Sequence, residues 1–191
     1  AWWPGANTCG QPGGPGVPQA GGDGLPPWLV EELTRVTPRA RVGDATHELE
    51  QAAVAFVAGR FAKARHHAEE AKGLSPRLPA IRELLGLAAY RTAHWEQALT
   101  ELRTYRRLSG DTTHLPVEMD VLRALGRVEE VEAAHQLLLR LGGSRAAMDE
   151  GRVVYGAFLL DQDRAKEAWE LTRPPSLKAE PTEGDLRVWY V

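Results

Sequence analysis

An all-α fold of paired helices is the class that this 191-residue sequence predicts, on three observations. Between Pro79 and Leu108 apolar residues recur at helical spacing on two consecutive segments: Leu84, Leu85, Ala88 and Ala89, then Trp95, Ala98, Leu99, Leu102, Tyr105 and Leu108. The key positions of that stretch return elsewhere. Gly59, Phe61 and Ala64 stand 34 residues before Ala93, Trp95 and Ala98; Gly126, Val128 and Val131 follow 33 after, and Asp163, Ala165 and Ala168 a further 37 on. Finally, helix formers dominate and alternating β-branched runs are missing.

In chain order, residues 1–27 hold eight glycines and six prolines with no apolar periodicity, so they predict a flexible tail. Trp2 and Trp3 are unusual there; they read as a sticky end, or as an anchor for a partner or the repeat groove. Pro26 and Pro27 open a helix from Trp28 to Val36, with Trp28, Leu29 and Leu33 on one side, expected to cap the first repeat. With its linker this capping segment covers 28–43. The repeat domain is expected over 44–175.

Its helices are placed at about Ala45–Ala58, ended by Gly59, and about Phe61–Gly73, closed by Ser75 and Pro76. The pair from Pro79 to Leu108 follows. Gly86, inside the apolar face of its first helix, predicts close approach of the second helix, with Ala98 opposite. Thr112 or Thr113 is expected to cap the next helix, with Pro116 in its first turn. A helix at about Arg127–Leu141 ends at Gly142 and Gly143, and Ser144 caps another. Asp161 or Asp163 is expected to cap the last helix, which Pro174 and Pro175 terminate. Residues 176–182 read as a linker, and Asp185–Val191 as the start of a further helix that stops mid-unit. The absence of an initiator methionine reads as a processed end, an expression boundary or the start of a fragment.

The net charge of −3 is spread with only a weak tilt: 13 Lys/Arg against 11 Asp/Glu in 31–112, and 10 against 14 in 113–191. A nucleic-acid module would carry a strongly basic face, so no nucleic-acid partner is expected. No apolar run nears the ~20 residues that span a bilayer, so no membrane partner is expected. The single cysteine, Cys9, has no internal disulfide partner, which makes the cytoplasm the default compartment.

A small residue, an aromatic or aliphatic one and a second small one, repeating at about 34 residues, is the pattern of tetratricopeptide repeats (TPR). Over roughly residues 45–175 the chain resembles a TPR protein. Ala52, Gly86 and Gly156 match the family's small position in the first helix, Ala64, Ala98 and Ala168 its second-helix alanine, Phe61 and Trp95 its aromatic, and Pro76 its terminal proline. The stretch from Arg82 to Gly110 is also similar to TPR proteins of high-GC actinobacteria. The departures are the opening tryptophan, where Glu48, Arg82, Leu115 and Arg152 stand, and the third unit, where Met119 and Val131 replace small residues.

The resemblance implies an α-solenoid of about four TPR-like helix hairpins whose first helices line a concave face. The inward positions carried over are Leu49, Ala53 and Phe56; Glu83, Leu87, Tyr90 and Arg91; Asp120 and Arg123; and Val153, Ala157 and Leu160. Tyr90, Arg91 and Arg123 are of the types that tend to carry binding energy. The family's chaperone-tail clamp of lysine, asparagine and arginine residues is missing, so a chaperone tail is not the expected ligand.

Catalytic and metal chemistry find no support in the sequence. His66 and His67 point to different sides of a helix, and only His66 and Glu70 share a face, short of the three or four ligands zinc needs. His47 and Glu48 lack the second histidine of the metalloprotease pattern, and Cys9 has no nearby base. Glu129, Glu130, Asp149 and Glu150 read as helix-surface charges. The expectation is a non-enzymatic scaffold, without metal or cofactor, that binds a peptide or helix of another protein through Phe56, Glu83, Leu87, Tyr90, Arg91 and Arg123. The alternatives are a self-associating module, forming a homodimer through the C-terminal stub and the apolar third unit, and an accessory subunit of an enzyme encoded elsewhere.

Overall fold

The computed structural model describes residues 24–173 and the single position Val188, which is helical and buried. The tail with Trp2, Trp3 and Cys9, the linker 176–182 and the rest of the expected final helix lie outside the described residues. Every regular element among the described residues is a helix, so the all-α class holds. The chain divides between Ser109 and Gly110 into two compact units, inside the span read as one repeat domain.

The first unit contains α1 (Pro27–Val36), a 3-10 turn (Arg39–Arg41), α2 (Val42–Val57), α3 (Phe61–Leu74), α4 (Pro79–Arg91) and α5 (Trp95–Ser109). Helix α2 pairs with α3 and α4 with α5, and α3 packs on α4. Leu29 and Leu33 of α1 are fully buried in one cluster with Leu49, Ala52, Leu78, Ile81 and Leu85, which closes the apolar edge of the first hairpin. Trp28 is not on that side: it is 43% exposed. The buried pair is the i, i+4 one, and a neighbouring position sits about 100° around the helix. Thr37, at the end of α1, donates its hydroxyl to Ser75 Oγ at 2.7 Å and so fastens the cap to the α3–α4 connection.

The second unit contains α6 (Leu115–Ala124), α7 (Val128–Leu141), α8 (Arg145–Asp161) and α9 (Ala165–Thr172). Helix α6 packs on α7 and α8, α7 on α8, and α8 on α9. Met119 of α6 and Val131 of α7, the large residues at positions where the other units carry small ones, are both fully buried, and their helices pack on each other.

One turn is used four times. After α2, α4, α6 and α8 a residue with positive φ follows: Gly59 at 71°, Ala93 at 58°, Gly126 at 69° and Asp163 at 58°. Each donates its N–H to the carbonyl three residues back (Phe56, Tyr90, Arg123 and Leu160), and the next N–H reaches five back (Ala55, Ala89, Leu122 and Leu159) at 2.8–3.0 Å. This is the Schellman pattern, which satisfies the orphan carbonyls of the finishing helix and turns the chain into the next one. The sequence period therefore corresponds to a repeated hairpin.

Two expected caps are different. The residue before α6 is His114, with no side-chain cap; Thr113 instead donates both N–H and hydroxyl to Asp111, and the Thr112 hydroxyl donates to the Gly142 carbonyl. Helix α9 begins after Arg164, again without a side-chain cap, because Asp163 occupies the left-handed turn position and Asp161 is still in α8. Ser144 does cap α8, accepting from Ala147 N–H at 3.1 Å, and Pro116 sits in the first turn of α6.

Small residues let helices close up. A Cβ on Gly86 would lie 2.8 Å from Leu102 Cγ and 3.2 Å from Leu102 N, so the tight neighbour is Leu102, one turn beyond the expected Ala98. Ala55, Ala64 and Ala88 form a buried cluster joining α2, α3 and α4. In the second unit Gly151 plays this part, with Leu138 of α7 packed into the space of its missing side chain.

Candidate functional site

The positions expected to face inward separate in the first unit into core and surface. Leu49 is fully buried, Ala53 is 4% exposed and Glu83 3% exposed, so none of them is presented to a ligand. The reason is packing: Leu49 and Ala53 belong to the cluster that α1 closes. Phe56, Leu87 and Tyr90 are partly exposed and Arg91 is exposed.

Some of these come together. Phe56 meets Phe61 edge to face, with ring centroids 5.2 Å apart and planes at 72°. The Arg91 guanidinium lies over the Phe61 ring, 4.0 Å from its centroid. Tyr90 meets Trp95 edge to face at 5.7 Å. Two aromatic pairs, one bearing an arginine, thus join the end of α2 and the start of α3 to the end of α4 and the start of α5. Such pairs hold their members in one geometry, each worth about 0.5–1.5 kcal/mol beyond burial. In the sequence Phe61 and Trp95 stand out only as repeat-pattern aromatics; their part in this surface depends on Phe61 meeting Arg91 thirty positions later.

A charged network also ties α3, α4 and α5 together. Glu101 of α5, 3% exposed, accepts from Arg82 Nη1 of α4 at 2.6 Å and from Lys72 Nζ of α3 at 3.1 Å. Arg82 also donates Nε and Nη2 to the Pro76 carbonyl at 3.0 and 2.8 Å. Gln97 of α5 donates to Glu69 of α3 at 2.6 Å and accepts from Arg65 at 3.2 Å. Burial works to lower the Lys72 pKa, but hydrogen bonds to Glu69 and Glu101 and their charges outweigh it, and the ammonium is held above its ordinary value. Arg82 thus ties α5 to the α3–α4 connection, and the Lys72–Glu101 bond joins one hairpin to the next.

An open depression of about 310 Å³ beside α2 and α3 is lined by Asp44, His47, Glu48, Glu70, Gly73 and Leu74. Glu48 bonds His67 Nδ1 at 2.8 Å. Among the described residues no three His, Cys, Asp or Glu side chains converge as a metal would require.

In the second unit Arg123 is bound on both sides, by Asp120 at 3.3 Å and Asp161 at 3.6 Å. Val153 and Ala157 are partly exposed and Leu160 is 41% exposed. His135 of α7, 5% exposed, stacks on Tyr155 of α8 with centroids 3.7 Å apart and planes 11° from parallel, and Tyr155 stacks on Phe158. Burial lowers the His135 pKa, and its Nδ1 has no hydrogen-bond partner among the described residues. Nearby, Arg164 bonds Glu132 at 2.6 Å and Glu167 at 2.8 Å, which holds the Glu167 carboxyl below its ordinary range.

No helix among the described residues is long and apolar enough to cross a membrane. No family model, curated protein or solved structure matches the chain.

Proposed function

We propose that the four hairpins are TPR-like repeats of an α-solenoid, and that the chain is a non-enzymatic cytoplasmic scaffold. Its ligand is a peptide or helix of another protein, held against Phe56, Leu87, Tyr90 and Arg91. The observation that carries the reading is the turn repeated after α2, α4, α6 and α8 with the same hydrogen bonds. Repeated helix pairs bury their apolar faces on one another and leave the first helices an accessible wall. On that wall Tyr90 and Arg91 are of the residue types enriched in binding hot spots. A pull-down from cells with the full-length chain tests this: Tyr90→Ala with Arg91→Ala should release a partner that the unaltered chain retains. Retention of every partner by the double variant would refute it.

Leu139, Leu141 and Trp169, which are 51%, 55% and 61% exposed in the second unit, favour a second reading, a module that pairs with its own copy. Exposed apolar groups of this size prefer to be covered. A monomer mass by light scattering at high concentration would eliminate it.

A further inference from the structure

Several arginines of the described residues are tied to carboxylates. Arg82 is taken by Glu101, Arg123 by Asp120 and Asp161, Arg164 by Glu132 and Glu167, and Arg173 by Glu170. Arg91 is held differently, by an aromatic ring. It is exposed, it rests on Phe61, and no carboxylate among the described residues pairs with it. Arg60, which precedes Phe61, and Lys63, which follows two residues on, are likewise exposed and without an ion pair among the described residues. Arg91 and Arg60 therefore place beside Phe61 two cationic groups that form no ion pair among the described residues.

A guanidinium stacked on an aromatic face is held in its plane while its N–H edge stays free, and that edge is a planar fork that fits a carboxylate bidentately. Stacking fixes beforehand much of the side-chain freedom that binding would otherwise have to remove. Phe61 is in turn braced by Phe56. Partly exposed Phe56 and Leu87, with Val54 and Val57 at 49% and 57% exposed, supply apolar surface on the same two helices, α2 and α4. Charge complementarity names the occupant.

We infer that the Phe61–Arg91 pair of the first unit binds an acidic peptide segment, a carboxylate of which docks on the Arg91 guanidinium while adjoining Leu or Phe side chains lie on Phe56 and Leu87. This rests on the polypeptide-scaffold reading and specifies its ligand. Arg60 and Lys63 add attraction at longer range, which salt screens.

The test is selection from a phage-displayed library of random dodecapeptides on the full-length chain and on Arg91→Glu, followed by anisotropy titration of the enriched peptides as fluorescent synthetics. The expected result is enrichment of Asp or Glu beside Leu or Phe on the unaltered chain alone. Affinity should fall about tenfold in Arg91→Lys, which keeps charge but loses the fork, further in Arg91→Glu, and steadily with added NaCl. Circular dichroism of Arg91→Lys and Arg91→Glu confirms that both remain folded. Selection of neutral or basic peptides whose binding is lost in Tyr90→Ala overturns the acidic ligand and leaves the scaffold reading standing. Acidic peptides that bind Arg91→Glu equally well overturn the inference too, as does a dimer of the chain that Arg91→Glu dissociates. If nothing is selected, both readings fail.

Discussion

Gly86 of α4 and Leu102 of α5 are so close that a single methyl group on the glycine would stand 2.8 Å from the leucine's Cγ and Cδ2. Real Cβ atoms do not come so near a neighbour, so the helices of this hairpin close only because position 86 lacks a side chain. Gly86→Ala gains about 1 kcal/mol of helix propensity, but overpacking costs about 1–3 kcal/mol. The expected outcome is a net loss of stability in urea unfolding. Gly73→Ala, where an added Cβ meets nothing within 4 Å, is expected to gain about 0.5–1 kcal/mol.

The repeated turn makes a second prediction. Ala93 holds the left-handed position at φ 58° that Gly59 and Gly126 hold elsewhere, and an L-residue there costs about 1–2 kcal/mol. Ala93→Gly should therefore stabilise the first unit by about 1 kcal/mol, with the looser unfolded chain offsetting part of the gain. Gly59→Ala should lose a similar amount. The thermal midpoints of the two variants are expected to move in opposite directions.

Glu101 holds two cations from two other helices, Lys72 and Arg82. Glu101→Ala leaves both without their buried acceptor and should cost about 3 kcal/mol. Glu69→Ala removes a partner that is 42% exposed on its side chain and should cost under about 1 kcal/mol. Hydrogen exchange at α3, α4 and α5 is expected to rise strongly in the first variant and little in the second.

The buried His135 makes the second unit sensitive to acid. Its folded pKa lies below the ordinary 6.5 because burial disfavours the imidazolium. Above pH 6.5 the ring is neutral in folded and unfolded chains alike, and the site imposes no penalty. As pH falls below 6.5 the unfolded chain takes up a proton that the folded one resists. Stability is then lost, by at most about 1.4 kcal/mol per pH unit, until the folded pKa is passed. Protection factors at α7 and α8, taken relative to the intrinsic exchange rate at each pH, should fall between pH 7 and pH 5, and His135→Phe, which keeps a ring against Tyr155, should remove that part of the pH dependence.

Much of the fold was legible because the signals were local. Apolar spacing placed α1 to α5 and α7 to within a few residues, and Gly59 and Gly142 marked ends where φ is positive. Ala93 and Asp163 do the same work without glycine's signature, and so Asp163 read as a cap. Less of the candidate site could be read, because exposure depends on which helix covers which. Leu49 and Ala53 look like groove positions until α1 is seen to close their cluster. Glu101 looks like a surface charge on its own helix and is buried by residues from α3 and α4. The meeting of Arg91 with Phe61 joins different hairpins, a distance that no periodicity reports.

The most direct test of the account is hydrogen exchange of the full-length chain with and without the tightest peptide from the dodecapeptide selection. Protection is expected at the end of α2, the start of α3 and α4, with α7 to α9 unchanged. Protection confined to α7 to α9, with α4 unaffected at saturating peptide, would contradict it.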